Sequence, residues 1–208
     1  MGAVSRPLDR SVGQMMRNKA LVRLVKSLGR IYLPVFFRIE AIGLENIPRD
    51  CGVVIVAKHQ RWEDIPLLAA ALPLELYYVA KSELFTTTLG RRLIGGLGGI
   101  PLNRDRPMES RNSLRTIGRI LEKGSGLVVF PEGTYFRGKM GPGREGVVRF
   151  ISSRFGVPFL PVGMEYKNNL WRGRVVIRVG KAFFRTEELP SELFLTKAMA
   201  EIERLSGL

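Results

Sequence analysis

Five consecutive apolar residues, Val53 to Ala57, sit inside the stretch GVVIVAK. An unbroken run rich in β-branched side chains predicts a strand buried on both faces, because a strand with one wet face would alternate apolar and polar positions. Further short apolar runs follow at ELYYVAK, GGIPLNR, GLVVFPEGT, VPFLPVGMEY and RVVIRVGKAF. FFRIEAIGLENIP, earlier in the chain, reads as a strand running into a turn. Between these runs the period changes. MESRNSLRTIGRILEKG places Leu114, Ile117, Ile120 and Leu121 on one helical face, with Gly124 as its stop. DIPLLAAAL, LGRRLIGGLG and GREGVVRFISSRFG also read as helices. PSELFLTKAMAEIERLSG reads as a C-terminal helix capped by Ser191. Strands alternating with helices predict an α/β fold: a single domain with a mostly parallel central sheet flanked by helices.

The N-terminal pattern is different. Over residues 12–33, apolar residues such as Val12, Met16, Leu24, Leu28 and Ile31 recur at helical spacing, with Arg17, Lys19, Arg23, Lys26 and Arg30 between them. No acid occurs between Asp9 and Glu40. A basic amphipathic helix of this kind suits an anionic membrane surface, and its bland alternative is a helix packed on the domain. Residues 1–38 are therefore expected to form an N-terminal membrane-associating helical element, and residues 39–208 the α/β domain. The expected location is peripheral or monotopic on the cytoplasmic face of a membrane. The N-terminus has no continuous apolar core of a signal peptide, and the chain has no run of 18 apolar residues that would span a bilayer.

Composition sharpens this picture through charge. Lys and Arg number 33 against 19 Asp and Glu, a formal net charge of +14 in 208 residues. Such a balance implies a polyanionic partner: nucleic acid, an anionic membrane or a phosphorylated substrate. One cysteine, Cys51, excludes an internal disulfide, and its place before an apolar strand suggests burial. With a single histidine besides, a structural zinc site is not expected.

That histidine is His59, in KHQRWED, directly after the first buried strand. Reactive groups in open α/β sheets gather at the carboxyl ends of strands. An imidazole there works as a base when a carboxylate orients its other nitrogen. Glu63 and Asp64 both stand within reach if the chain bends into a helix, and the structural alternative is a polar strand end followed by acids suited to a helix start. No G-x-S-x-G elbow accompanies it, so the base would serve a hydroxyl brought by the substrate rather than a covalent acyl-enzyme. Lys81, Arg104, Arg106 and Arg137 are candidate anion-binding cations. In FPEGT, proline and glycine hold Glu132 at a strand end, where it would bind a hydroxyl or an arginine, unless it is a plain turn residue.

HQRWED as H-x4-D, then GGIPLNR, FPEGT and VPFLPV in this order, resemble the four sequence blocks of the glycerolipid acyltransferases, among them the 1-acylglycerol-3-phosphate acyltransferases. YYVAKSELF resembles the family's segment between the first two blocks, and the likeness spans roughly residues 40–185. The resemblance implies His59 as general base and Asp64 as its orienting partner. It implies that Lys81, Arg104, Glu132, Gly133, Thr134 and Arg137 form the acceptor site, with VPFLPVGM beside the acyl chain. It also implies a membrane lipid acceptor and an acyl-CoA or acyl-carrier-protein co-substrate, with no metal, no cofactor and no nucleic acid. Many members continue the third block as P-E-G-T-R, and here that arginine position is Tyr135. This departure keeps open another lysolipid, an ornithine-type lipid or a glycolipid as acceptor. A basic membrane- or nucleic-acid-binding protein without activity is the more distant reading, although no RNA-recognition motif accompanies the charge.

Overall fold

The computed structural model describes residues 17–103, 111–167, 173–186 and 188–208. Its elements run α1 (Lys19–Phe36), β1 (Phe37–Ile42), β2 (Val53–Ala57), α2 (Asp64–Ala71), β3 (Leu76–Lys81), β4 (Gly99–Leu102), α3 (Arg111–Glu122), β5 (Gly126–Val129), α4 (Glu145–Arg154), β6 (Phe159–Lys167), β7 (Gly173–Val179) and α5 (Ser191–Ser206). Short helical turns fill the segment between β3 and β4, including a π-helical stretch at Arg91–Gly95.

Seven strands form one sheet in the order β1-β7-β6-β2-β5-β3-β4. Every neighbouring pair is parallel except β6 and β7. The expected α/β domain with a mostly parallel sheet is therefore what the chain forms. β2 lies at its centre, between β5 and β6. All five of its residues are buried, as the unbroken apolar run predicts. Their alternation divides them between two layers. Val54 and Val56 join the core under α3, α4 and α5. Val53, Ile55 and Ala57 join the core on the opposite face, beneath α2 and the end of α1.

The connection from β2 through α2 to β3 steps past β5 in one direction. The connection from β5 through α4 to β6 steps past β2 in the other. Such a reversal opens a crevice at the carboxyl ends of the central strands, where ligands bind in open α/β sheets. Residues 58–64 and 130–141 lead away from those ends.

Three expectations change. The described N-terminal helix runs from Lys19 to Phe36, beyond the expected end at residue 33, and the Asn18 side chain accepts from the Ala20 and Leu21 backbone N–H groups and so caps its start. Residues 12–16 lie outside the described residues. Cys51 is exposed, since β2 begins only at Val53 and the preceding turn stands clear of both apolar layers. Ser191 is the first residue of α5 rather than its cap; Pro190 holds the cap position and no side chain completes it. α1 passes straight into β1, so Phe37 and Arg38 belong to the sheet.

Candidate active site

β2 ends at Ala57, and the next residues, Lys58, His59 and Gln60, are all buried. Lys58 continues the parity of Val54 and Val56, so its side chain enters the protein instead of leaving it. Its ammonium donates to both carboxylate oxygens of Glu132 at 2.8 Å and to the Phe136 carbonyl at 2.7 Å. Glu132 is buried too, and also accepts from the His59 N–H at 3.0 Å and the Gly141 N–H at 2.7 Å. The pair thus ties the end of β2 to the loop after β5. The Phe136 N–H donates to the His59 carbonyl at 3.0 Å and closes the same joint. Gly133 makes the turn possible, with a φ of 70° that an L side chain rarely adopts.

The chain then bends into α2. Asp64, the first residue of that helix, is fully buried. Its Oδ2 lies 3.0 Å from His59 Nδ1 and accepts the Gln60 and Arg61 N–H groups at 2.6 and 2.8 Å. Its Oδ1 accepts the Tyr166 phenol. Of the two acids open in the sequence, Asp64 is the histidine's partner, and the Glu63 carboxylate makes no hydrogen bond to the ring. Tyr78 supports α2 by donating to the Ile65 carbonyl at 3.1 Å, and burial pushes its phenol pKa upward. The Gln60 amide donates to the Met164 carbonyl at 2.6 Å, and its oxygen accepts the Gly138 N–H at 3.0 Å.

The imidazole stacks on Phe130 with ring centroids 3.8 Å apart. Tyr135 tilts against it at 4.4 Å. His59 keeps only 8 % of its surface exposed, whereas Tyr135 keeps 51 % and forms the wet side of the site. A neutral imidazole held at Nδ1 by a carboxylate carries its proton there and leaves Nε2 as an acceptor. Among the described residues no group bonds Nε2. The arrangement can take a proton from a hydroxyl placed against it and return that proton to a leaving group.

The remaining candidates are dispersed. Among the described residues the Glu132 oxygens meet Lys58 and the His59 and Gly141 backbone N–H groups. Thr134 and Arg137 are exposed on the loop beyond Gly133, and Lys81 is exposed at the end of β3. None of these three side chains makes a hydrogen bond or ion pair among the described residues. Arg104 and Arg106 lie outside the described residues. Phe159–Met164 of the VPFLPVGM segment is buried within the sheet, and a cavity lined by Val79, Phe130, Pro131 and Gly133 measures about 10 Å³. A larger groove of about 610 Å³ lies between α1 and α2, lined by Val25, Leu33, Pro66, Ala69 and Leu74 and by none of the groups around His59. No group of His, Cys, Asp and Glu suited to a metal ion occurs among the described residues.

Lys58, Gln60, Phe130 and Tyr166 are absent from the residues singled out by sequence. Strand parity marks Lys58 as inward-pointing. Tyr166 has no local signal, because its partner is 102 residues away in the chain.

Fold and site together define an α/β protein with a histidine–aspartate dyad at the switch point of a mostly parallel sheet. Residues 38–165 match the family model described as Acyltransferase, and the chain belongs to that family. It is 29 % identical over 141 residues to a chloroplastic 1-acyl-sn-glycerol-3-phosphate acyltransferase of Brassica napus, an alignment covering 67 % of this chain and 40 % of that protein. It is 31 % identical over 142 residues to a lyso-ornithine lipid O-acyltransferase of Pseudomonas aeruginosa, covering 68 % of this chain and 53 % of the relative. The chain thus spans about half the length of these relatives or less. Its fold matches the crystal structure of the 1-acyl-sn-glycerophosphate (LPA) acyltransferase PlsC from Thermotoga maritima, with a TM-score of 0.67 at 24 % identity over 94 % of this chain and 84 % of the other.

Proposed function

We propose that the protein transfers a fatty acyl group from an acyl thioester, acyl-CoA or acyl-carrier protein, to the hydroxyl of a lysophospholipid, 1-acylglycerol-3-phosphate, giving phosphatidic acid. The observation that carries this reading is the buried His59–Asp64 dyad with Nε2 left as an acceptor. His59 Nε2 takes the acceptor's hydroxyl proton as the oxygen bonds to the thioester carbonyl carbon. Asp64 stabilises the imidazolium. The C–S bond then breaks, and the departing sulfur takes the proton from Nε2. Neither a metal nor a covalent acyl-enzyme enters these steps. Exposed Lys81, Thr134 and Arg137, with Arg104, are the groups proposed to meet the acceptor phosphate.

A second acceptor, a lyso-ornithine lipid, is favoured by one observation. Tyr135 stands at the mouth of the site against His59, where the resemblance leads one to expect an arginine. Incubating the protein with acyl-CoA or acyl-carrier protein and a panel of lysolipids tests both. Phosphatidic acid as the fastest-formed product supports the first reading, and preferential acylation of the lyso-ornithine lipid replaces it with the second. If no lysolipid is acylated while nucleic acid binds tightly at physiological salt, both acyltransferase readings fail.

The proposed location is the cytoplasmic face of a membrane, where both donors are supplied. No described helix is long and apolar enough to cross a bilayer. Yet Leu24, Leu28, Ile31, Tyr32 and Val35 of α1 are exposed, Ile31 at 71 %, while Leu33 packs on the domain. An apolar face of this size, with cations and no acids in α1, suits burial among anionic headgroups. Leu28→Asp with Ile31→Asp is expected to lower binding to vesicles containing phosphatidylglycerol at least tenfold. Turnover of a short-chain, water-soluble acceptor should be unaffected. Unchanged sedimentation with vesicles would reduce α1 to a packing element.

A further inference from the structure

Asp64 accepts four hydrogen bonds, and they are not equivalent. Oδ2 takes three, all from the adjoining segment: His59 Nδ1, the Gln60 N–H and the Arg61 N–H. Oδ1 takes one, from the Tyr166 phenol near the end of β6. The carboxylate torsion of an aspartate is soft and broad, so bonds to a single oxygen fix one point of the group and leave its plane free to tilt about that point. Tilting would turn the Oδ2 lone pairs away from Nδ1 and take the buried Oδ1 off its only partner among the described residues. The Tyr166 hydroxyl is the contact that opposes it, and it reaches Asp64 from a different strand.

Tyr166 is itself held on two sides. The Phe37 ring meets it edge-on at a centroid distance of 6.5 Å. The Arg61 guanidinium lies 4.5 Å from its ring centroid. Burial, and then the negative charge of Asp64, push the phenol pKa upward, so the hydroxyl keeps its proton and remains a donor. The hydroxyl meets Asp64, and the ring meets Phe37 and Arg61.

We propose that Tyr166 is a positioning residue of the acyltransferase site, fixing the Asp64 carboxylate so that His59 is held with Nδ1 protonated and Nε2 facing the acceptor. The proposal rests on the acyl-transfer reading for its kinetic consequence but not for its structural one. Tyr166 lies just beyond the residues matched to the family model. Its link to Phe37, the first residue of β1, also joins the dyad to the base of α1.

Tyr166→Phe removes one hydroxyl and keeps the ring. kcat is expected to fall roughly ten- to hundredfold, with KM for the acyl thioester unchanged and a fall in Tm of roughly 2–12 °C from the Asp64 oxygen left without its partner. The single histidine gives a second readout, because the ¹⁵N shifts of its imidazole report one residue. The neutral wild-type ring should show distinct protonated and bare nitrogens. In Tyr166→Phe the two signals should move toward each other as the tautomers mix. The hydroxyl should also cost nothing further once Asp64→Asn is present. A folded Tyr166→Phe protein with unchanged kcat and unchanged ¹⁵N shifts overturns the proposal, as does an equal loss of activity in the Asp64→Asn background. If the wild type acylates no lysolipid, the activity assigned above fails, and the ¹⁵N shifts alone decide the role of Tyr166.

Discussion

Replacing His59 by alanine is expected to lower kcat for acyl transfer by about two to four orders of magnitude, the usual contribution of a positioned general base. The fold should survive. The imidazole lies at the rim, stacked on Phe130, and its loss removes about 0.5–1.5 kcal/mol of ring contact. The hydrogen bonds that close the joint beneath it use the His59 backbone, which alanine retains. Asp64→Asn should cost at least a hundredfold, because an amide cannot accept three N–H groups on one oxygen, take the Tyr166 hydroxyl on the other and still balance an imidazolium. Glu63→Gln should stay within about threefold of wild type on the same scale. Thioester cleavage followed by thiol release, together with lipid product analysis, measures all three. A His59→Ala enzyme within threefold of wild type would end the general-base mechanism. Equal losses at Glu63 and Asp64 would remove the dyad.

Lys58→Met should produce the largest loss of stability of any change around the site. Both partners of the Lys58–Glu132 pair are removed from water, with side-chain exposures of 0 % and 1 %. Forming such a pair gains little over a well-packed apolar replacement, yet breaking it strands a carboxylate in the interior at a cost of about 3–5 kcal/mol. For a chain of this size that corresponds to a fall in Tm of roughly 6–20 °C. Combining Lys58→Met with Glu132→Gln should recover most of the loss, since the neutral amide can still accept from a backbone N–H and no unpaired charge remains. Differential scanning calorimetry of the two single variants and the double variant closes the cycle. Additive effects, with the double variant the least stable, would show that the pair does not act as a unit. Activity in the double variant then reports how far this joint sets the place of His59, independently of stability.

Much of the architecture is legible along the chain because local periodicity and burial agree. The β2 run marks a strand covered on both faces, and its central place follows. The change of period at residues 108–124 separates a helix from its flanking strands. H-x4-D also encodes its own geometry: Asp64 begins a helix, and the intervening backbone N–H groups turn the carboxylate back onto His59. The family-like blocks carried Glu132 and Gly133 into view, but not the Lys58 that Glu132 meets.

What the chain alone determined, then, is the set of elements, their alternation and the identity of the histidine with its two candidate acids. The choice of Asp64 over Glu63 is local too, since the helix start puts Oδ2 beside Nδ1, as the H-x4-D resemblance implies; tertiary structure decided what lies around that pair. It paired Glu132 with Lys58, because β5 lies beside β2 although 74 residues separate the two charges. It placed Tyr166 on Asp64 for the same reason, through the neighbouring β6. Strand order is set by long-range burial and by the direction of each crossover connection, and neither leaves a mark in a local window. Contacts between neighbouring strands distant in sequence therefore appear only once the sheet is assembled.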